Sequence, residues 1–94
     1  MSDSFESIHN FFEQPVLDAV MAAMPNYRHL SQELLADVAC VALNRLPVRY
    51  IRHPVDLAFY MTDKERLENE RAIYDAVQHA FEFVQARSAM RARR

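Results

Sequence analysis

One short stretch of the chain combines three arginines with a tyrosine. Arg45, Arg49 and Arg52 surround Tyr50 there, and His53 follows. A guanidinium group binds phosphate through two parallel hydrogen bonds, stacks on flat rings, and can donate to O6 and N7 of guanine. A tyrosine ring offers a face on which a nucleobase can stack. These residue types therefore favour the binding of a phosphorylated purine.

The chain just before Arg45 is an apolar stretch, and polar side chains within it and ahead of it complete the candidate site. Asp37 and Asn44 are seven residues apart, or two helical turns, so they share one helix face. A carboxylate on that face can accept hydrogen bonds from the donor groups on the Watson–Crick edge of guanine. Arg28 adds a cation in the loop before the helix. The predicted ligand-binding residues are Arg28, Asp37, Asn44, Arg45, Arg49, Tyr50 and Arg52.

The same residues also allow an interpretation without a ligand. Asp37 would then pair with one of the arginines, Asn44 would end the helix, and Tyr50 would pack internally. A carboxylate on an otherwise apolar helix is costly without a partner, so either a protein cation or a ligand has to supply one. The residue types alone leave both interpretations open.

Signatures of common catalytic and metal sites are missing. The chain has no glycine, which excludes a P-loop and the dinucleotide-binding G-x-G-x-x-G turn. Its histidines, His9, His29, His53 and His79, lack the H-E-x-x-H spacing of zinc proteases. The single cysteine, Cys40, excludes Cys-rich zinc sites, and we expect it to be a small core residue. We expect no enzymatic activity, no metal and no cofactor.

Length and composition indicate one globular domain spanning residues 1–94. The net charge of −2 argues against general nucleic-acid binding. No window approaches the ~18 apolar residues of a membrane span, and the polar N-terminus is unlike a signal peptide. We therefore expect a cytoplasmic protein without membrane contact. A chain of this size has a thin core, which favours a symmetric homodimer.

Apolar periodicity predicts an all-α bundle of four to five helices. Apolar residues at spacings of three and four predict a first helix from Phe5 to Met24, kinked or split at Pro15. A central helix is predicted from an N-cap at Ser31 to about Asn44, where that residue could adopt the left-handed conformation. Because this helix is apolar on nearly every side, we expect it to be buried.

The second half of the chain is predicted from its prolines and a capping box. Pro47 stops the central helix, and residues 48–53, here called the arm, are predicted to be extended or to form a short strand. Pro54 suits the start of a short helix. Thr62 with Glu65 opens a long last helix to Arg87 or beyond, followed by a frayed arginine-rich tail, residues 88–94.

The string from Asp37 to Tyr50 resembles the signature of the late-competence ComFB family, an apolar helix running into Leu-Asn-x-Leu-Pro-Pro-x-Tyr. The opening segment, with Asn10 and Glu13, resembles the family's Asn-x-x-Glu helix. Val48 stands where the family has its second proline. Cysteines that precede the aspartate in many members, some of which bind zinc, are missing here.

The resemblance implies a small helical dimer linked to competence, motility or cell-size control. Some members are receptors for cyclic dinucleotides, chiefly cyclic di-GMP, so the resemblance implies such a ligand here, with a downstream protein effector as a further partner. The residues do not choose between cyclic di-GMP and cyclic di-AMP. One rival hypothesis is a protein-interaction module without a small ligand, and a weaker one is nucleic-acid binding through the arm and tail.

Overall fold

The computed structural model describes residues 2–92, which form an all-α fold with one small two-stranded sheet. The elements are α1 (Ser2–Glu6), β1 (His9–Asn10), α2 (Glu13–Ala23), a 3₁₀ turn (Met24–Tyr27), α3 (Gln32–Arg45), β2 (Tyr50–Ile51), α4 (Pro54–Tyr60) and α5 (Asp63–Ala92). The all-α prediction is confirmed. None of the helices in the described part of the chain is long and apolar enough to cross a membrane.

The hydrophobic core lies where three helices meet. α3 packs mainly against α5, and α2 packs against both of them. Alanines on the two main partners allow a close approach, because the distance between packed helices depends on the side chains at the contact. The core residues are Phe12, Val16, Val20, Leu30, Val38, Ala39, Ala42, Leu46, Ala76, Val77, Ala80, Phe81 and Val84.

The boundaries of α3 follow local signals in the sequence. Ser31 is the N-cap, as predicted, and its Oγ accepts a hydrogen bond from the Leu34 N–H at 3.2 Å. At the other end Leu46 is already extended, with φ −102° and ψ 147°. The left-handed conformation predicted for Asn44 is wrong, since no non-glycine residue within 2–92 has a positive φ. Pro47 suffices to end the helix.

The prediction that α3 is buried on all sides is wrong. Val38, Ala39 and Ala42 are buried, whereas Asp37 and Cys40 are exposed. Both neighbours of α3, α2 and α5, cover part of its circumference, so the remaining side faces solvent in the single chain. Cys40 is therefore not the core residue that its apolar neighbours in the sequence indicated.

The predicted first helix is divided, but not at Pro15. α1 ends at Glu6 and α2 begins at Glu13, so Pro15 is the third residue of α2. Backbone N–H groups in the first turn of a helix have no acceptor within it, and a proline is therefore tolerated there. The interruption lies in residues 7–12, which contain β1.

The last helix begins as predicted and continues beyond Arg87. The Glu65 N–H donates to Thr62 Oγ1 at 3.1 Å, as the capping box requires. α5 continues to Ala92, which makes it about 45 Å long. Residues 88–92 are helical rather than frayed, and Arg93 and Arg94 lie outside the described residues. α5 thus carries Arg87 and Arg91 on a helix.

Replacing a buried and an exposed phenylalanine in turn should show how much burial contributes to the free energy of unfolding. Phe81 is fully buried and its ring stacks on Tyr27 at a centroid distance of 4.0 Å, while Phe59 is 83% exposed. We expect Phe81→Ala to lower the free energy of unfolding by about 3–5 kcal/mol, and Phe59→Ala by well under about 1 kcal/mol. Urea denaturation of both variants measures this, and similar losses in the two would contradict the assigned core.

Candidate functional site

The arm is an extended segment that pairs with the N-terminal part of the chain. β2 forms an antiparallel pair with β1, in which His9 lies opposite Ile51 and Asn10 opposite Tyr50. The predicted short strand after Pro47 is therefore confirmed. Pairing fixes the direction in which the arm leaves the end of α3, and it places Arg49 and Tyr50 beside α4 rather than over α3.

Asn10 ties the arm to the start of α2. Its Oδ1 accepts from the Phe12 N–H at 3.3 Å and from the Arg49 N–H at 3.0 Å. Its own N–H donates to Glu13 Oε2 at 2.9 Å, and the Phe11 N–H donates to the Arg49 carbonyl at 2.7 Å. Both backbone polar groups of Arg49 are thus occupied, which fixes the point from which its side chain extends.

Arginine and tyrosine side chains surround an open depression of about 560 Å³, here called the arm depression. Tyr50 and Tyr60 are 70% and 82% exposed. Arg52 is oriented by a hydrogen bond from its Nε to Ser7 Oγ at 3.1 Å, which leaves its terminal nitrogens without a protein partner among the described residues. The lining residues are Arg49, Tyr50, Ile51, Arg52, His53, Leu57 and Tyr60.

Asp37 lies away from the arm. It is eight residues before Arg45, or about 12 Å along the helix axis. It lines a second cavity, of about 320 Å³, between α3 and the C-terminal part of α5, together with Cys40, Arg87 and Arg91. The structure therefore does not bring Asp37 together with the arm residues within one chain.

The remaining predicted residues border neither the arm depression nor the second cavity. Arg28 is exposed in the turn before α3, and the adjacent Tyr27 packs on Phe81 in the core. Asn44 and Arg45 are exposed in the last turn of α3. These three polar residues therefore do not line the arm depression.

The interpretation in which internal pairing satisfies the candidate residues is not supported. Salt bridges within residues 2–92 join charged residues of α5 to one another, and none involves Asp37, Arg49 or Arg52. Tyr50 does not pack internally either.

Sequence reasoning missed Tyr60, Arg87 and Arg91 as cavity-lining residues. Tyr60 reaches the arm only because α4 folds back beside it, which no local pattern indicates. Arg91 was assigned to a frayed tail, and Arg87 was predicted to lie in the last helix without a role in a cavity. The sequence did mark Asn10 as a residue of interest, because it and Glu13 are the polar residues of the Asn-x-x-Glu pattern.

No three histidine, cysteine or acidic side chains lie close enough to hold a metal ion in the part of the chain that was described.

Comparison with known proteins identifies one family. The family model described as late competence development protein ComFB matches residues 9–88, which is most of the chain. The match begins at β1 and ends within α5, so it includes the arm and most residues of the second cavity, but not Arg91. No curated protein and no solved structure gives a significant match to the chain.

Replacing Asn10 should loosen the arm without removing an arm side chain. We expect Asn10→Ala to lower the free energy of unfolding by about 1–2 kcal/mol, because two N–H groups lose their acceptor. Amide hydrogen exchange at Arg49 should become faster as well. Asn26→Ala, at an exposed asparagine of the 3₁₀ turn, is the matched control and should change neither quantity. Unaltered exchange at Arg49 in the Asn10 variant would contradict the anchoring role.

Proposed function

The chain belongs to the ComFB family of late competence development proteins, and on this premise we propose that it is a small signalling protein that binds a cyclic dinucleotide at the arm depression. Cyclic di-GMP is the ligand that the resemblance to the family implies. The role requires no catalysis, because binding alone can shift a conformation or create a surface for a partner protein.

The observation that carries this proposal is the exposure of aromatic rings beside guanidinium groups whose terminal nitrogens have no partner among the side chains that the structure describes. Most proteins bury large aromatic side chains, so two tyrosines facing solvent at one depression indicate a contact made with something else. Stacking of a base on such a ring contributes about 1–3 kcal/mol. Tyr50 and Tyr60 give the depression two such rings.

Phosphate groups suit the two arginines of the depression. Arg49 starts from a backbone held at both its N–H and its carbonyl, and Arg52 is oriented through Nε. Guanidinium groups held in this way lose less freedom when they bind a phosphate than mobile ones would. Among the side chains that the structure describes, the depression is lined by the two arginines and His53 and by no carboxylate.

A symmetric homodimer would match the two-fold symmetry of a cyclic dinucleotide. Several large apolar side chains are exposed, among them Phe5, Leu67 and Met90. The radius of gyration is 15.4 Å, compared with about 13 Å for a compact domain of 100 residues. Both features favour a partner subunit that covers part of the apolar surface.

A ligand-free interaction module remains the second candidate, because one apolar groove favours it. This groove, of about 300 Å³, lies between α2 and α3 and is lined by Leu17, Met21, Met24 and Leu35 among others. Methionine side chains adapt to differently shaped partners. Absence of any cyclic dinucleotide binding would favour this second function.

Removing Arg49 should weaken cyclic di-GMP binding much more than removing a surface arginine. A charge-assisted contact to phosphate is worth roughly 1.5–3 kcal/mol, so we expect Arg49→Ala to raise the Kd about ten- to a hundredfold. Arg49→Lys should lose most of the same affinity if the contact is bidentate. Titration calorimetry measures both.

Arg71→Ala is the control, since Arg71 is exposed on α5 and pairs with Asp75 at 3.9 Å. Circular dichroism and melting should be unchanged in all three variants. Equal small losses for Arg49→Ala and Arg71→Ala would indicate diffuse electrostatic attraction rather than a site.

The homodimer is tested independently of the ligand. Sedimentation velocity at micromolar concentration should give about twice the chain mass of 11.0 kDa. Since the apolar surface that favours a dimer is present without ligand, we expect the dimer before cyclic di-GMP is added. A monomer throughout the micromolar range would remove the two-fold matching on which this part of the proposal depends.

A further inference from the structure

The cavity between α3 and α5 contains three ionic side chains that the arm depression does not use. Asp37 lies on its α3 side, and Arg87 and Arg91 lie on its α5 side. The two arginines are four residues apart, so they are neighbours on one face of α5. Since α5 is helical to Ala92, both cations are held on a regular element rather than on a free tail.

These three side chains share the cavity without binding one another. No salt bridge within 4.0 Å and no hydrogen bond joins Asp37 to either arginine among the described residues. All three are exposed, so each is hydrated in the free protein. A ligand that offers donors to the carboxylate and acceptors to the guanidinium groups can therefore replace water without breaking a protein ion pair.

The walls of the cavity are apolar. Leu34, Val41, Phe83 and Val84 line it beside the ionic groups. The volume of about 320 Å³ lies at the lower end of the range for small-molecule sites, which is roughly 300–1,000 Å³. A flat, largely apolar body with a polar edge suits such a cavity better than a small hydrated ion does.

Guanine has the required edges. Its N1–H and N2–H₂ groups are adjacent donors that one carboxylate can accept, and its O6 and N7 are adjacent acceptors for one guanidinium. Adenine presents an N1 acceptor where guanine has the N1–H donor, so a carboxylate at that position would face a lone pair. Asp37 opposite two arginines therefore discriminates between these purines.

We propose that the cavity between α3 and α5 binds a guanine base, with Asp37 accepting from N1–H and N2–H₂ and with Arg87 or Arg91 donating to O6 and N7. Ser88, one residue from Arg87, adds a hydroxyl at the same wall. This inference rests on the proposed function in that a guanine nucleotide is the physiological ligand.

Guanosine monophosphate, adenosine monophosphate and xanthosine monophosphate are suitable probes, since each carries one base and cannot reach both sites at once. In xanthine the 2-amino donor is replaced by a carbonyl acceptor. Asparagine matches that edge, because its amide oxygen accepts from N1–H and its NH₂ donates to O2. Asp37→Asn should therefore change which base is preferred, which a purely structural role of Asp37 would not do.

Calorimetry with the wild-type protein should show guanosine monophosphate binding at least tenfold more tightly than adenosine monophosphate. Asp37→Asn should weaken the guanine nucleotide about ten- to a hundredfold and should make the xanthine nucleotide the tighter ligand. Arg87→Ala and Arg91→Ala are tested in the same way, and at least one of them should cost about tenfold. Asp63→Asn, at a surface carboxylate of α5, is the control and should leave every Kd unchanged.

Failure of this inference and failure of the proposed function give different results. If cyclic di-GMP binds and responds to Arg49→Ala, but Asp37→Asn leaves the order of the three mononucleotides unchanged, the guanine cavity is refuted while the receptor function stands. If the mononucleotides respond to Asp37→Asn but cyclic di-GMP does not bind, the cavity stands and the cyclic dinucleotide proposal is refuted.

Discussion

The packing of α3 on α5 is the interaction on which the other parts of this structure depend. Both helices contribute alanines to the buried surface, and Phe81 fills the space beside them. This contact puts the start of α3 beside the end of α5, and so puts Asp37 across from Arg87 and Arg91. It also fixes the place at which α3 ends, from which the arm extends.

The second constraint is the way the chain leaves α3. Pro47 prevents another helical turn, and Asn10 binds the emerging backbone at Arg49. The hydrogen bond that the Arg49 N–H donates to this side chain, 39 residues earlier, thereby helps to fix a segment that has little core of its own. The two candidate sites are thus held in place by different contacts. The arm depression depends on a short strand pair and one asparagine, whereas the cavity at Asp37 depends on the main helix contact.

Features decided by neighbouring residues could be predicted from the sequence. The Ser31 cap, the stop at Pro47, the restart at Pro54 and the Thr62 capping box each follow from chemistry within a few residues. The apolar periodicity of the last helix similarly predicted α5.

Features decided by distant parts of the chain could not be predicted. The first helix continues its apolar period through residues 7–12, yet pairing of β1 with β2 interrupts it there. The exposure of Cys40 depends on how many helices pack around α3, and the sequence pattern of α3 itself does not show that number. Within the candidate site, the residue types of the arm were recognised, but Asp37 was grouped with it because helix spacing alone does not show which element lies opposite.

The central claim is that the exposed arginines and tyrosines of the arm form a specific cyclic dinucleotide site. Proton–nitrogen correlation spectra of isotopically labelled protein, recorded while cyclic di-GMP is added stepwise, test this most directly. We expect saturable shifts concentrated at residues 49–53 and 57–60, with changes at Asp37 and Arg87 reporting the second cavity. Spectra that stay unchanged at saturating ligand, or that shift only weakly and without saturation along the whole surface, would contradict the claim.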